Sequence, residues 1–133
     1  MLLIDTSLWV DFTRSASPEP RKRQIAPWLL DPAAHLAEPV VFELLRFARP
    51  HEAQQLQAQF ATLPMLATPS SVWMEAAELG RACRATGLTV VSLDLLIAAV
   101  ALHHRATLVT FDRDFAAIAQ VSALTVRLLE RVG

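Results

Sequence analysis

The stretch VVSLDLLIAAVALHHRATLVTFDRDF, residues 90–115, decides the fold. Ser92 can cap a very apolar helix that runs to about His103. Thr107–Thr110 then reads as a short buried strand, and Asp114 can cap a short helix to Gln120. The same alternation extends outward in both directions. Residues 2–5 read as a buried strand, followed by a helix from Leu8 to about Arg14 capped by Thr6 or Ser7. Ser15–Pro20 is expected as a loop, with a short helix after it to Leu30. His35–Glu38 is a second strand. Pro39 suits the start of a helix to about Ala48, and Pro50 breaks it. A polar helix over His51–Thr62 and a strand over Met65–Thr68 follow. Ser70 or Ser71 caps a helix to Ala85 that Gly87 ends, and Thr125–Leu129 is a last strand. Strands alternating with helices predict an α/β fold in three layers. Its centre is a mostly parallel sheet of four to five strands with helices on both faces. In such sheets ligands bind beyond the carboxyl ends of the strands.

Five acidic residues lie inside or at the edge of apolar segments, and the topology places at least two of them, Asp5 and Asp112, at that edge. Asp5 ends the first strand, and Glu43 interrupts the apolar run Val40–Leu45. Asp94 stands in the first turn of the apolar helix, and Asp112 and Asp114 close the run from Thr107 to Phe111. Carboxylates among apolar residues need a partner or a cation. Each has an ordinary explanation taken alone. Asp5 can form a turn, Asp94 can complement a helix dipole, Asp114 can be a helix cap and Asp112 a turn residue. Glu43 has Arg46 as a partner at i+3. Their joint placement favours a hard divalent cation.

The bulk composition narrows the field. A length of 133 residues fits one domain spanning residues 1–133, and 53% hydrophobic residues argue against disorder. The net charge of −1 argues against a tail that binds nucleic acid by bulk charge alone, though not against a local basic patch. Eleven of the 12 basic residues are Arg, and Lys22 is the only lysine. Cys83 is the only cysteine, so no internal disulfide forms. No basic leader precedes an apolar run, and Leu95–Leu102 is far short of the roughly 20 residues of a membrane span. The expectation is a soluble cytoplasmic protein. With only Gly80, Gly87 and Gly133 present, a glycine-rich phosphate loop is excluded.

The segments LLIDTSLWVDF (2–12), PVVFELLR (39–46) and VVSLDLLIAAVALHHRATLVTFDRDF (90–115), in this order, resemble the PIN-domain ribonucleases. The short form is similar to the VapC-like toxin of VapBC toxin–antitoxin pairs. That resemblance implies a PIN-like fold and hydrolysis of RNA with Mg²⁺ or Mn²⁺. It implies Asp5, Glu43, Asp94, Asp112 and Asp114 as the catalytic acids, the aspartates among them as metal ligands. Thr6 and Thr110 would support the acids through their hydroxyls. It also implies a homodimer and neutralisation by a cognate VapB-like antitoxin. There are two departures from the usual pattern: Arg46 and Phe47 follow Leu45 where a small residue is common, and Leu95 is bulky.

A phosphodiester is anionic, so a divalent cation would neutralise it, activate water and stabilise the leaving oxygen. Asp5 and Asp94 are expected to hold the principal ion. An acidic pocket also needs flanking cations, for which Arg14, Arg21, Lys22, Arg23 and Arg113 are candidates, then Arg46. His103 and His104 are candidates for phosphate contact, and Trp9, Trp28 and Trp73 are expected in the core. A receiver-type phosphoacceptor needs a late lysine, and a dehalogenase-like phosphatase needs a second acid at position 7, where Ser7 stands. A PIN-like module that binds RNA or protein without cutting is the remaining alternative, against which the full set of five acids argues.

Overall fold

In the computed structural model, which describes residues 1–133, every strand pairing is parallel. The strands are β1 (Leu2–Ile4), β2 (Ala34–Ala37), β3 (Met65–Leu66), β4 (Thr107–Thr110) and β5 (Thr125–Leu128). The helices are α1 (Thr6–Thr13), α2 (Glu19–Leu29), α3 (Glu38–Leu45), α4 (Pro50–Phe60), α5 (Ser70–Ala85), α6 (Ser92–His104) and α7 (Arg113–Gln120). The sheet order is β3-β2-β1-β4-β5. The chain first steps from β1 through β2 to β3, then crosses back to lay β4 on the other side of β1. Right-handed crossovers on either side of that reversal set helices on both faces of the sheet. The reversal lies between β1 and β4, where Ile4 pairs with Val109. Residues just after these two strands therefore become neighbours, at the place where open parallel sheets bind ligands.

The central strands have no polar face because both of their faces are covered. Leu3, Ile4, Leu36, Leu108 and Val109 are fully buried. Helix α6 is equally apolar on all sides: Leu96 to Ala101 are all buried. It ends at Arg105, whose φ of 56° is left-handed, while Gly87 takes φ of 80° after α5. No helix is long and apolar enough to cross a membrane.

The expected elements appear, with shifted ends. The caps differ most. Asp5, not Thr6 or Ser7, caps α1, its side chain accepting from the Ser7 amide. Asp112, not Asp114, caps α7 in the same way. In both cases the extended backbone that ends a strand points the carboxylate back at the next helix's first amides. At α5 and α6 the caps are Pro69 and Val91, with no side-chain bond, rather than serines. Helix α2 begins at Glu19, so Arg21, Lys22 and Arg23 lie inside a helix and not at a loop end. Helix α3 stops at Leu45, short of Ala48, because Arg49 before Pro50 is held extended.

Candidate active site

Asp5 sits on the seam between β1 and β4, its amide donating to the Val109 carbonyl at 3.0 Å. Its side chain is buried, with 3% exposure. Three hydrogen bonds end on Oδ2: from the Ser7 amide (3.2 Å), the Ser7 hydroxyl (2.7 Å) and the Thr110 hydroxyl (2.7 Å). Each hydroxyl also accepts from the chain leaving β4. Phe111 N donates to Ser7 Oγ at 3.1 Å, and Asp112 N to Thr110 Oγ1 at 2.9 Å. Both hydroxyl protons are thereby fixed toward Asp5. Burial raises the Asp5 pKa, and the bonds from Ser7 and Thr110 oppose that rise. Asp112 in turn caps α7 through the Asp114 amide at 2.9 Å, which fixes the first turn of that helix.

Asp94, Asp112 and Asp114 each offer one carboxylate oxygen within 4.8 Å of the others. Asp94 is half-buried and Asp114 exposed. The Asp94 pKa is pushed up to about 7, first by burial and then by the charges of Asp112, Asp5, Glu43 and Asp114. The other four acids named from the sequence thus all act on the Asp94 carboxylate. Asp114 belongs to the tight trio yet contributes least, as expected for a charge screened by solvent. Asp5 and Glu43 stand outside the trio but within electrostatic reach of it.

The donor set suits a hard cation. All ligand atoms are oxygen, with no Cys or His among them. Oxygens around one Mg²⁺ at about 2.1 Å lie no more than about 4.2 Å apart, so a 4.8 Å group needs only small side-chain rotation or an intervening water.

Other expected residues are placed differently. Thr6 makes no hydrogen bond through its hydroxyl, and Ser7, which the sequence suggested only as a helix cap, takes the supporting contact instead. A hydroxyl one residue further along α1 faces β4; only the three-dimensional register reveals which one does. Arg46 does not pair with Glu43. Its guanidinium lies over the Phe47 ring at 4.4 Å and the Phe42 ring at 5.9 Å. Arg21 is already engaged, 3.6 Å from Asp11 and bonded to the carbonyls of Val132 and Gly133. Arg14, Arg23 and Arg113 are exposed and Lys22 half-exposed, and Arg113 lies between the two aspartates of α7. His103 and His104 end α6, about 14 Å along the helix from Asp94, and bond to Glu75 and the Ala67 carbonyl. Trp9 is buried against Phe60, whereas Trp73, expected in the core, is 60% exposed.

Comparison with known proteins agrees with this geometry. The family model described as PIN domain matches residues 2–121. The chain is 36% identical over 129 residues to ribonuclease VapC11 of Mycobacterium tuberculosis, covering 93% of this chain and 96% of that protein. Among solved structures, a toxin–antitoxin complex from Klebsiella pneumoniae superposes with a TM-score of 0.76 at 20% identity, covering 99% of this chain and 100% of that one. VapC20 of Mycobacterium tuberculosis, described as a sarcin-ricin loop cleaving toxin, superposes with a TM-score of 0.71 at 18% identity, covering 94% and 99%. The chain belongs to the PIN-domain family, in its VapC-like group.

Proposed function

We propose that this protein is a divalent-metal-dependent endoribonuclease, the toxin of a toxin–antitoxin pair, working in the cytoplasm as one domain over residues 1–133. The observation that carries the reading is the trio Asp94, Asp112 and Asp114 gathered within 4.8 Å, where burial first and then the neighbouring carboxylates raise Asp94 to about 7. Like charges held this close are costly without a cation among them. The relationship to ribonuclease VapC11 over nearly the whole chain supports the reaction class.

Asp94, Asp112 and Asp114 would hold Mg²⁺ or Mn²⁺, with Asp5 beside them. The hydroxyls of Ser7 and Thr110 occupy Asp5 Oδ2, which leaves Oδ1 for a further ligand. The bound cation would neutralise the phosphodiester, lower the pKa of a water and stabilise the departing oxygen. Glu43, which acts on Asp94 only through its charge, is free to orient the attacking water or accept its proton. Asp5 is held rigid by hydroxyls whose protons are already committed, so little reorganisation is needed when charge develops. Arg113, exposed beside Asp112 and Asp114, would meet a flanking phosphate, with Arg14, Lys22 and Arg23 as further basic contacts. The partners in this reading are an RNA substrate, a VapB-like antitoxin and a second copy of the chain. The superposition on a toxin–antitoxin complex supports the antitoxin.

Purified protein incubated with structured and single-stranded RNA tests the reading. Cleavage should require Mg²⁺ or Mn²⁺, stop with a chelator, and fall at least about 100-fold in Asp112→Asn. RNA bound but never cut, by a protein loaded with Mn²⁺, would instead favour the non-cleaving module.

A further inference from the structure

We infer that Arg131 is a positioning residue that braces α1, which follows Asp5, against the junction that carries Asp112 and Asp114; this inference rests on the proposed function. After β5 the chain stays attached to the end of β4, Leu129 N donating to the Thr110 carbonyl at 2.8 Å. It is then fastened to α2. Gln24 bonds the Glu130 carbonyl at 2.6 Å and the Val132 amide at 3.2 Å, and Arg21 bonds the Val132 and Gly133 carbonyls. This docking places Arg131 between two surfaces.

On one side is Asp11, one turn beyond Ser7 on α1 and 5% exposed. Arg131 Nε donates to Asp11 Oδ2 at 2.6 Å, while Arg21 Nη1 stands at 3.6 Å, beyond a hydrogen bond. On the other side is Phe111, whose ring lies 4.7 Å from the Arg131 guanidinium carbon. Phe111 sits between Thr110, which bonds Asp5, and Asp112, which bonds Asp114. Its own amide donates to Ser7. A guanidinium can donate through its edge and stack through its face at once; an ammonium cannot do both. Arg131 thus ties α1, with Asp5 and Ser7, to the junction that sets Asp112 and Asp114. Neither proton transfer nor substrate contact is assigned to it. Its effect passes through the spacing of the carboxylates.

Isothermal titration of Mn²⁺ into the full chain tests this. Arg131→Ala should weaken Mn²⁺ binding by about 3- to 10-fold, at or below the usual range for groups supporting metal ligands, and Arg131→Lys by less. Asp11→Asn should match Arg131→Ala, and the double variant should bind no more weakly than either single one. Arg127→Ala is the control, since Arg127 lies over Trp28 at 6.0 Å and leaves the affinity unchanged. A folded Arg131→Lys and Arg131→Ala pair with lowered melting temperature but wild-type Mn²⁺ affinity would mean a purely structural role and overturn the inference alone. A wild-type protein that takes up no Mn²⁺ would overturn the proposed function and this inference with it.

Discussion

Replacing Asp94 by Asn should make the metal-free protein more stable while abolishing its activity. In the folded state the Asp94 pKa is about 7, against an ordinary value of 3.8. Below pH 3.8 the group is protonated in both states and contributes no difference. Between 3.8 and 7 the unfolded chain loses the proton first, so folding stability falls as pH rises. Above 7 the penalty is complete. The full shift corresponds to a ceiling of about 4 kcal/mol. Asp94 is only half-buried, and solvent screening reduces this to about 1–2 kcal/mol. Asparagine keeps the shape and removes the charge. In chelator at pH 7.5, Asp94→Asn should therefore melt about 4–8 °C above wild type. At pH 5 about a third of the penalty remains, so the gap should narrow accordingly. Saturating Mg²⁺ should raise the wild type by about 2–3 kcal/mol at 100 times its Kd, and the variant far less. Differential scanning calorimetry reads all three. A variant no more stable than wild type in chelator at pH 7.5, or a gap that does not shrink at pH 5, would refute the reasoning.

Asp112 has two duties, and two substitutions separate them. Both Asp112→Ala and Asp112→Asn remove the charge and should lose cleavage, but only asparagine keeps the helix cap, so Asp112→Ala should be about 1 kcal/mol less stable than Asp112→Asn in urea denaturation. Ser7→Ala leaves Asp5 and the Phe111 amide each short of a partner, so stability should fall by about 1–3 kcal/mol and the cleavage rate with it. Thr6→Ala removes a hydroxyl that bonds nothing, and cleavage should stay within about two-fold of wild type in the same assay.

The fold was legible because its strongest signals are unconditional. An apolar strand such as Leu108–Val109 and the all-apolar run Leu96–Ala101 can only be interior, and parallel topology follows from their alternation. The five acids were legible only together: each alone has an ordinary explanation, but so many charges set in or beside apolar segments call for a shared one. What failed to show was decided by register. Whether Asp5 or Thr6 caps α1 depends on a single backbone ψ angle, and whether Thr6 or Ser7 meets Thr110 depends on how α1 leaves the sheet. Arg46 was assigned to Glu43 by spacing along a helix, yet two aromatic rings nearby compete for the same guanidinium. The Arg131–Asp11 pair spans 120 residues, and no local pattern announces it. Trp73 reads as core by composition and lies outside because α5 turns that face to solvent.

Crystals soaked in Mn²⁺ at neutral pH and measured at the manganese absorption edge test the central claim most directly. The account predicts one strong anomalous peak among the carboxylates of Asp94, Asp112 and Asp114, lost in Asp94→Asn. A fully soaked crystal with no peak there, or with manganese only elsewhere on the surface, would contradict it.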